Sequence, residues 1–435
     1  MLSLEEPKGY PVGATTFLCP LPSPVRHGSV KISGHEESGL LLEEVAFTAY
    51  YPAEVDSKTS RKGLHWITRP LSLALQGFIQ FSGVKSYWIT RGILAPLVYV
   101  YGRLIQIPVY ANARLLRPKT AEKKQWPLVI FSHGLGGSRT AYSQICSRIA
   151  ASGRVVLAIE HRDGTSHACQ TRSWDAEGKC TLKPILYINK EDAMPDQSRS
   201  EPQPLRTDQL LVRHHEVYHT FETFSRFVAG DVDARLEVAD DGKFKPVDWL
   251  PNDSGEPPVS FDDCFALIAY PAWCIKQFSI LSSKPPAEYH HIPIRHALIY
   301  DPWLEPFPTP GPLPIDGTST TEHHPDLPRM LVMNSEPFTR WDDHFLQLHT
   351  AVKKWGPEAR LITLDFTWLP LIGSKAKRIL LEYIENFTIS FLDGRIEEKL
   401  KNLKPCELEI RIIGKKKDGS PKREIVGELG DVIVH

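Results

Sequence analysis

From Trp126 onward, short continuous apolar runs alternate with stretches of helical spacing, and this alternation constrains the fold more than any other feature. The runs are rich in Val, Ile and Leu and fall at 127–131, 155–159, 265–269, 296–300, 330–333 and 361–364. Helical spacing of apolar residues falls at about 139–152, 205–230, 342–354 and 375–392. Strands without polar alternation are typical of a sheet buried on both faces. The sequence therefore predicts an α/β fold, with a mostly parallel sheet flanked by helices.

Several other segments are predicted to differ from this strand–helix pattern. Residues Leu40 to Tyr51 read as a longer strand in an antiparallel N-terminal edge. Residues 163–204 and 303–328 are polar and proline-containing, which predicts long surface loops. We expect one domain over residues 1–398, and a peripheral tail over 399–435 that carries Lys415-Lys-Lys417.

Residues 70–110 form the most apolar long stretch of the chain. Arg91, Pro96 and Arg103 interrupt it, so no uninterrupted run reaches the roughly 18 residues that a membrane span needs. Two interpretations stay open for this lid-like segment. It is either a buried pair of helices or a partly exposed flap that touches lipid or an apolar substrate.

Charge and cysteine content exclude several classes of protein. The chain has 51 basic and 52 acidic side chains, so we expect no nucleic-acid partner, and nothing points to an obligate protein partner. Seven cysteines without a CxxC pair predict neither a disulfide framework nor a zinc knuckle. Residues Met1 to Gly13 lack an apolar run, so we expect no secretory signal and a cytoplasmic location.

The strongest chemical signal is Phe131-Ser-His-Gly-Leu-Gly-Gly-Ser-Arg-Thr140, directly after a predicted strand. Glycines there let backbone N–H groups turn into a cavity, and the N–H near Leu135 would serve as an oxyanion donor. The alternative is an ordinary glycine-rich turn. Asp301 follows the run 296–300, where an acid either orients a catalytic histidine or simply begins a turn.

A zinc-peptidase interpretation rests on His215-Glu-Val-Tyr-His219, which matches HExxH. On a helix this spacing puts both histidines on one face, with Glu216 as base. However, Arg213 and His214 precede the motif, and nothing singles out a third ligand. We therefore favour a polar helix face, and predict no metal and no cofactor.

Taken together, these pieces resemble the platelet-activating factor acetylhydrolases of the plasma and intracellular type II, with their fungal relatives. The matching segments, in order over residues 10–395, are 131–136, 141–143, 158–163, 297–303 and 332–336. The resemblance implies an α/β-hydrolase fold and a Ser-Asp-His triad that needs no metal. It also implies hydrolysis of the sn-2 acetyl ester of phospholipids at lipid surfaces. It places Leu135 on the oxyanion loop and Asp301 at the triad acid.

Both remaining catalytic loops depart from the family pattern. The nucleophile elbow, Gly-His-Ser-Phe-Gly in the family, is here Tyr270-Pro-Ala-Trp-Cys274, so Ala272 stands at the serine position. Trp273 would follow it as the second oxyanion donor. Proline fixes φ and lacks an N–H, which does not suit the strained elbow. The strand 361–364 runs straight into Asp365-Phe-Thr-Trp368, without the loop that carries the family's histidine.

The resemblance therefore predicts a phospholipid esterase that is impaired in this chain as written. Two explanations are open: a catalytically silent protein that binds lipid or ester, or exon ends misassigned near both loops. From another class, the zinc peptidase of residues 215–219 is the distant alternative.

Overall fold

The computed structural model describes most of the chain, in two compact units. The described residues are 2–34, 36–55, 62–118, 124–175, 177–194, 199, 202–239, 244–268, 289–305, 328–364, 375–404, 406–415, 419, 421–427 and 431–435. The first unit holds the described residues up to Cys264 together with 289–293. The second unit holds Phe265 to Ile268 and the described residues from Ile294 onward.

The described strands and helices are numbered along the chain. The strands are β1 (Leu2–Ser3), β2 (Val12–His27), β3 (Leu40–Glu54), β4 (Lys62–His65), β5 (Ile105–Ala111), β6 (Arg114–Leu115), β7 (Trp126–Ser132), β8 (Val155–Glu160), β9 (Ala168–Trp174), β10 (Cys180–Leu186), β11 (Glu237–Val238), β12 (Val259–Ile268), β13 (Ile294–Tyr300), β14 (Arg329–Ser335), β15 (Ala359–Leu364), β16 (Ile410–Lys415), β17 (Pro421–Ile425) and β18 (Val432–Val434). The helices are α1 (Leu71–Ser82), α2 (Tyr87–Ile89), α3 (Ala95–Leu104), α4 (Ser143–Ala151), α5 (Pro204–Val228), α6 (Glu336–Thr339), α7 (Asp342–Trp355), α8 (Lys375–Leu392) and α9 (Ile396–Lys401).

In the first unit, an antiparallel N-terminal stretch leads into parallel strands. Strand β3 pairs antiparallel with both β2 and β8, while β7 and β8 are parallel. Helix α5 packs on this sheet through an aromatic cluster, in which the Phe17 and Phe47 ring centroids lie 5.3 Å apart. Phe224 of α5 contacts Trp249 at 5.7 Å. Aromatic side chains of this size supply much of the apolar area that a core buries.

In the second unit, β13, β14 and β15 pair in parallel; β14 and β15 are almost wholly buried, and in β13 the residues Ala297 to Ile299 are buried. Strand β18 adds an antiparallel edge, with Val432 opposite Leu364. The predicted fold class is confirmed: the chain has an α/β-hydrolase fold with a mixed, mostly parallel sheet, flanking helices and an antiparallel N-terminal stretch.

Two predicted boundaries were wrong. Residues 163–204 are not only loop, because β9 and β10 form a two-stranded antiparallel ribbon there. Strand β10 is mostly exposed, so its sequence lacks the apolar pattern from which a strand can be predicted. Strand β12 begins at Val259, earlier than the predicted run at 265. The predicted domain boundary after residue 398 stays a prediction.

The apolar segment 70–110 forms α1, α2, a π-helical turn at Thr90–Leu94, α3 and then β5. Of the two interpretations, the exposed flap fits the structure. Large apolar side chains of this segment face solvent, with Trp88 81% exposed and Ile93 58% exposed. Within the described residues, no helix combines the length and apolarity that crossing a membrane requires.

Candidate functional site

The glycine-rich segment of residues 133–140, called the glycine loop, begins after Ser132 at the end of β7 and is held by backbone hydrogen bonds. The N–H of Gly136 donates to the carbonyl oxygen of Thr165 at 2.8 Å, and the N–H of Gly137 donates to that of Gly134 at 3.0 Å. Gly136 has a φ of 72°, which a residue with a side chain rarely adopts. Leu135, the predicted oxyanion donor, lies half-buried in this loop.

Below the loop, three side chains form a hydrogen-bonded chain that the sequence did not predict. The Oγ of Ser132 lies 2.7 Å from Nε2 of His161, and Nδ1 of His161 lies 2.6 Å from Oε2 of Glu216. The second carboxyl oxygen of Glu216 accepts the N–H of Arg162 at 2.7 Å. All three side chains are buried, and His161 and Glu216 are wholly inaccessible to solvent.

Burial makes the charged forms of this His–Glu pair unfavourable. Burial, with Asp163 nearby, raises the pKa of Glu216 well above its ordinary value. Burial, with the charge of Arg213, holds the pKa of His161 well below its ordinary range. Desolvation acts on both groups in the direction of the neutral form. The arrangement resembles a Ser-His-acid relay in its distances, but its serine is only 5% exposed.

A buried ion pair clamps the loop to helix α5. The Nε of Arg213 donates to Asp163 at 2.7 Å, and its Nη1 donates to the carbonyl oxygen of His133 at 2.8 Å. Asp163 also accepts the N–H of Thr165 at 2.9 Å, and Thr165 is the residue that binds Gly136. A charged pair with this many hydrogen bonds fixes the position of the groups that it joins.

The zinc interpretation of residues 215–219 does not fit this geometry. Glu216 points to His161 rather than to a site shared with the two histidines. His215 stacks on His27 with ring centroids 4.0 Å apart. In the part of the chain that the structure describes, no group of three His, Cys, Asp or Glu side chains could hold a metal ion. The motif is part of the structural network instead.

The exposed flap packs directly over the glycine loop. Phe78 of α1 stacks on His167 at 4.2 Å, and Nδ1 of His167 lies 3.3 Å from the carbonyl oxygen of Gly136. A side chain at Gly136 would place its Cβ 2.5 Å from the ring of Phe81. The flap and the loop are therefore in contact through α1.

A cavity of about 120 Å³ lies under the start of α1, lined by Pro70 and Ala74 and by the polar residues Arg139, Glu160 and Arg162. Pockets that enclose a drug-sized ligand are about 300–1,000 Å³. This cavity does not accommodate a phospholipid.

Asp301 lies in the second unit, immediately after β13. Its φ is 46°, in the left-handed region, and its Oδ1 accepts the N–H of Ser335 at 2.6 Å. Burial raises the pKa of Asp301 to about 6. A backbone in a sparsely populated region together with a raised carboxyl pKa is typical of functional sites, although structural networks also shift pKa values.

Ala272 and Trp273 lie outside the described residues, as does the stretch 365–374 after β15. Of the histidines that follow Asp301, His344 of α7 is buried. Its Nε2 accepts the N–H of Leu304 at 3.0 Å, and its ring stacks on Trp341 at 4.6 Å.

The family profile described as "Platelet-activating factor acetylhydrolase, isoform II" matches residues 27–248. A platelet-activating factor acetylhydrolase from Bos taurus is 32% identical over 168 residues, which is 38% of this chain and 33% of that protein. One from Gallus gallus is 40% identical over 125 residues, or 29% of this chain and 26% of that protein. The alignments thus span a quarter to a third of these relatives' length.

A solved structure, a ferulic acid esterase from Streptomyces cinnamoneus, aligns over 83% of this chain and 76% of its own. Its sequence identity is 15% and the TM-score is 0.42.

Proposed function

The chain belongs to the platelet-activating factor acetylhydrolase family, isoform II, and on that premise we propose that its scaffold serves hydrolysis of the sn-2 acetyl ester of phospholipids. We further propose that the polypeptide as written has lost turnover. The observation that supports the first part is that a buried network fixes the glycine loop after β7, the loop to which we assign an oxyanion donor. Preorganised N–H groups of this kind are often the largest single contribution to acyl-transfer catalysis.

Each remaining residue has a role in the intact reaction. A serine at position 272 would attack the ester carbonyl carbon and pass its proton to a histidine in a loop after Leu364. Asp301 would orient that histidine, and the N–H groups near Leu135 and Trp273 would stabilise the oxyanion. The histidine would give that proton to the sn-2 oxygen as its bond to the carbonyl carbon breaks and the lysophospholipid leaves. A water molecule, deprotonated by the same histidine, would then attack the acyl-serine and release acetate. Ala272 has no nucleophile, and the chain has no histidine between Leu364 and α8, so neither proton transfer is possible.

The exposed flap supports a phospholipid as substrate. Trp88, Ile93 and Leu97 are each more than 40% exposed, and Arg91 lies among them. Exposed apolar patches with a basic rim mark lipid- or protein-binding surfaces. We propose that this flap rests on a lipid surface and that the protein is cytoplasmic and peripheral.

Substituting Trp88→Ser and Ile93→Ser would lower binding to neutral phosphatidylcholine vesicles by at least about tenfold. Leu346→Ser, an equally exposed apolar site on α7, is the matched control and would leave binding unchanged.

The catalytic proposal is tested by rebuilding both loops. One variant replaces Tyr270 to Cys274 with Gly-His-Ser-Phe-Gly and inserts a histidine-bearing loop after Leu364. We expect it to hydrolyse a short-chain sn-2 ester, while either single repair stays at background. Adding Asp301→Asn should then lower kcat by about 10⁴-fold, the loss seen when a triad acid is removed.

The competing proposal is a protein that binds lipid or ester without turning it over. It is favoured if the doubly repaired chain is folded, by its thermal transition, and still inactive. An active double repair with Asp301→Asn equally active would instead place the triad acid elsewhere.

A further inference from the structure

The C-terminal ribbon of β16 and β17 is a second exposed surface, separate from the flap. The two strands are antiparallel, with Ile410 opposite Ile425 and Gly414 opposite Lys422. All six residues of β16 are exposed.

One strand of the ribbon is fixed to the second unit, which leaves the other strand outermost. The N–H of Ile425 donates to Oε1 of Glu336 at 3.1 Å, and Ile425 is buried. Arg423 forms an ion pair with Asp342 at the start of α7. Since β17 supplies these anchors, the ribbon is held by β17 while β16 faces solvent.

The exposed side chains of the ribbon are of two kinds, basic and apolar. Ile412 is 65% exposed, and Ile410 and Ile413 are 37% and 44% exposed. Lys415 and Lys422 are exposed beside them. Among the described residues of the ribbon, Arg411, Lys415, Lys422 and Arg423 are basic and Glu424 is acidic, whereas the whole chain has a net charge of −1. Arg423 is paired with Asp342 and Arg411 lies 3.9 Å from Glu409, so Lys415 and Lys422 supply the exposed positive charge.

We propose that this ribbon docks on a phospholipid surface that carries anionic headgroups. Clusters of Lys and Arg are attracted to anionic lipid by about 1 kcal/mol for each side chain near the surface, and β-branched apolar side chains between them enter the interfacial zone. A nucleic acid would meet the lysines, but it would leave the isoleucines in water. Long lysine stems can lie in the interfacial zone while their ammonium groups reach the headgroups, and Lys415 and Lys422 are both exposed.

Docking of the ribbon on a lipid surface requires neither the nucleophile nor the flap. The flap would supply binding to any lipid surface, whereas the ribbon would supply the preference for negative charge. The two are distinguished by lipid composition and salt, because only the electrostatic contribution is screened.

The test uses the full chain and two kinds of vesicle, one of phosphatidylcholine alone and one with about a third phosphatidylserine. We expect tighter binding to the second kind at low salt, and loss of the difference at high salt. Lys415→Glu with Lys422→Glu should reduce binding to the anionic vesicles by at least about 20-fold, since each lost positive charge accounts for roughly fivefold. Binding to phosphatidylcholine alone should not change.

The matched control reverses two exposed lysines of the same unit, Lys353→Glu and Lys354→Glu at the end of α7. We expect this control to keep the preference for anionic vesicles. A wild-type chain without that preference, or a control that loses as much binding as the ribbon variant, would overturn the proposal. Binding of a random oligonucleotide that the ribbon variant abolishes, with no vesicle preference, would assign the ribbon to nucleic acid instead. If the flap variant Trp88→Ser with Ile93→Ser loses binding to vesicles of phosphatidylcholine alone but keeps its preference for anionic vesicles, the two surfaces act independently, as we propose.

Discussion

Glu216 is the residue on which the network below the glycine loop depends. It joins His161 to the backbone of Arg162, and its environment raises its pKa while that of His161 is lowered. We therefore expect an uncharged pair, in which the carboxyl O–H donates to Nδ1 of His161. The ring N–H at Nε2 then donates to Ser132.

Substitution of Glu216 tests this protonation state. In Glu216→Gln the amide N–H₂ replaces the carboxyl O–H, so the free energy of unfolding should fall by less than about 1 kcal/mol. Glu216→Leu leaves the N–H of Arg162 and one ring nitrogen of His161 unpaired, at about 1–3 kcal/mol each. Because a raised folded pKa favours folding only at lower pH, the wild type should also lose stability relative to Glu216→Gln as pH rises. If denaturant unfolding shows that Glu216→Gln and Glu216→Leu lower the free energy of unfolding equally, the carboxyl group of Glu216 is ionised in the wild type.

Asp301 should reduce stability at neutral pH, because burial raises the pKa of its carboxyl group. Its pKa is about 6 in the folded chain, above its ordinary 3.8, so the folded state holds the proton over a range where the unfolded state has released it. Stability contributed by this group is therefore present below pH 3.8 and is lost as pH rises to 6.

Asp301→Asn removes that dependence and keeps an acceptor for Ser335, and Asn tolerates the left-handed φ. We expect the variant to be more stable than wild type at pH 7 by up to about 3 kcal/mol, and equal to it near pH 3.8. Thermal unfolding across this pH range measures the difference. A constant difference between the two proteins would show that Asp301 titrates normally.

At the scale of elements, α1 and the glycine loop form one packed unit through Phe81 and Gly136. Gly136→Ala would strain a φ of 72° and push the ring of Phe81 aside. Gly178→Ala is the matched control, because its φ is 77° and nothing lies within 4 Å of the added Cβ.

We expect Gly136→Ala to lower the free energy of unfolding by about 1 kcal/mol more than Gly178→Ala does, because Gly178→Ala introduces backbone strain but no steric clash. In a chain that already carries Phe81→Ala, the two glycine substitutions should cost the same, as a double-mutant cycle by denaturant unfolding would show. If Gly136→Ala still lowers the free energy of unfolding more than Gly178→Ala does in the Phe81→Ala background, the extra loss comes from the loop itself and not from its contact with α1.

The elements that could be predicted from the sequence are those with continuous apolar runs or strong helical spacing. Strands β7, β8, β13, β14 and β15 were anticipated for this reason, because burial on both faces leaves few polar residues in them. The β9–β10 ribbon was missed, since a two-stranded, half-exposed ribbon imposes little pattern. The pair His161–Glu216 was also missed, because its partners are 55 residues apart and only the fold brings them together.

One signal could have indicated the network. Ser132 and His161 each follow a buried run, and the carboxyl ends of neighbouring parallel strands meet at one edge of a sheet. Arg213 and Glu216 also sit within the apolar spacing of α5, where charge is unusual unless it is paired. The HExxH spacing drew attention to zinc instead.

At the scale of the whole molecule, the chain belongs to the platelet-activating factor acetylhydrolase family, and we propose that it departs from the family pattern at two catalytic loops. Gly136 has a φ of 72°, which glycine adopts readily, whereas Asp301 has a φ of 46°, which is uncommon for a residue with a side chain. Position 272 holds alanine rather than serine, and residues 365–374 contain no histidine. Loss of either group alone typically costs about 10⁶-fold in kcat.

Covalent labelling of the unmodified chain by a serine-directed fluorophosphonate tests the central claim most directly. The reagent reports a nucleophilic serine without requiring that the natural ester be known, and mass spectrometry of the intact protein gives the stoichiometry. We expect no label above that of the heat-denatured chain, with the doubly repaired variant labelled at its new serine as the positive control. Stoichiometric labelling of the unmodified chain would contradict the account and identify a nucleophile at a position other than 272.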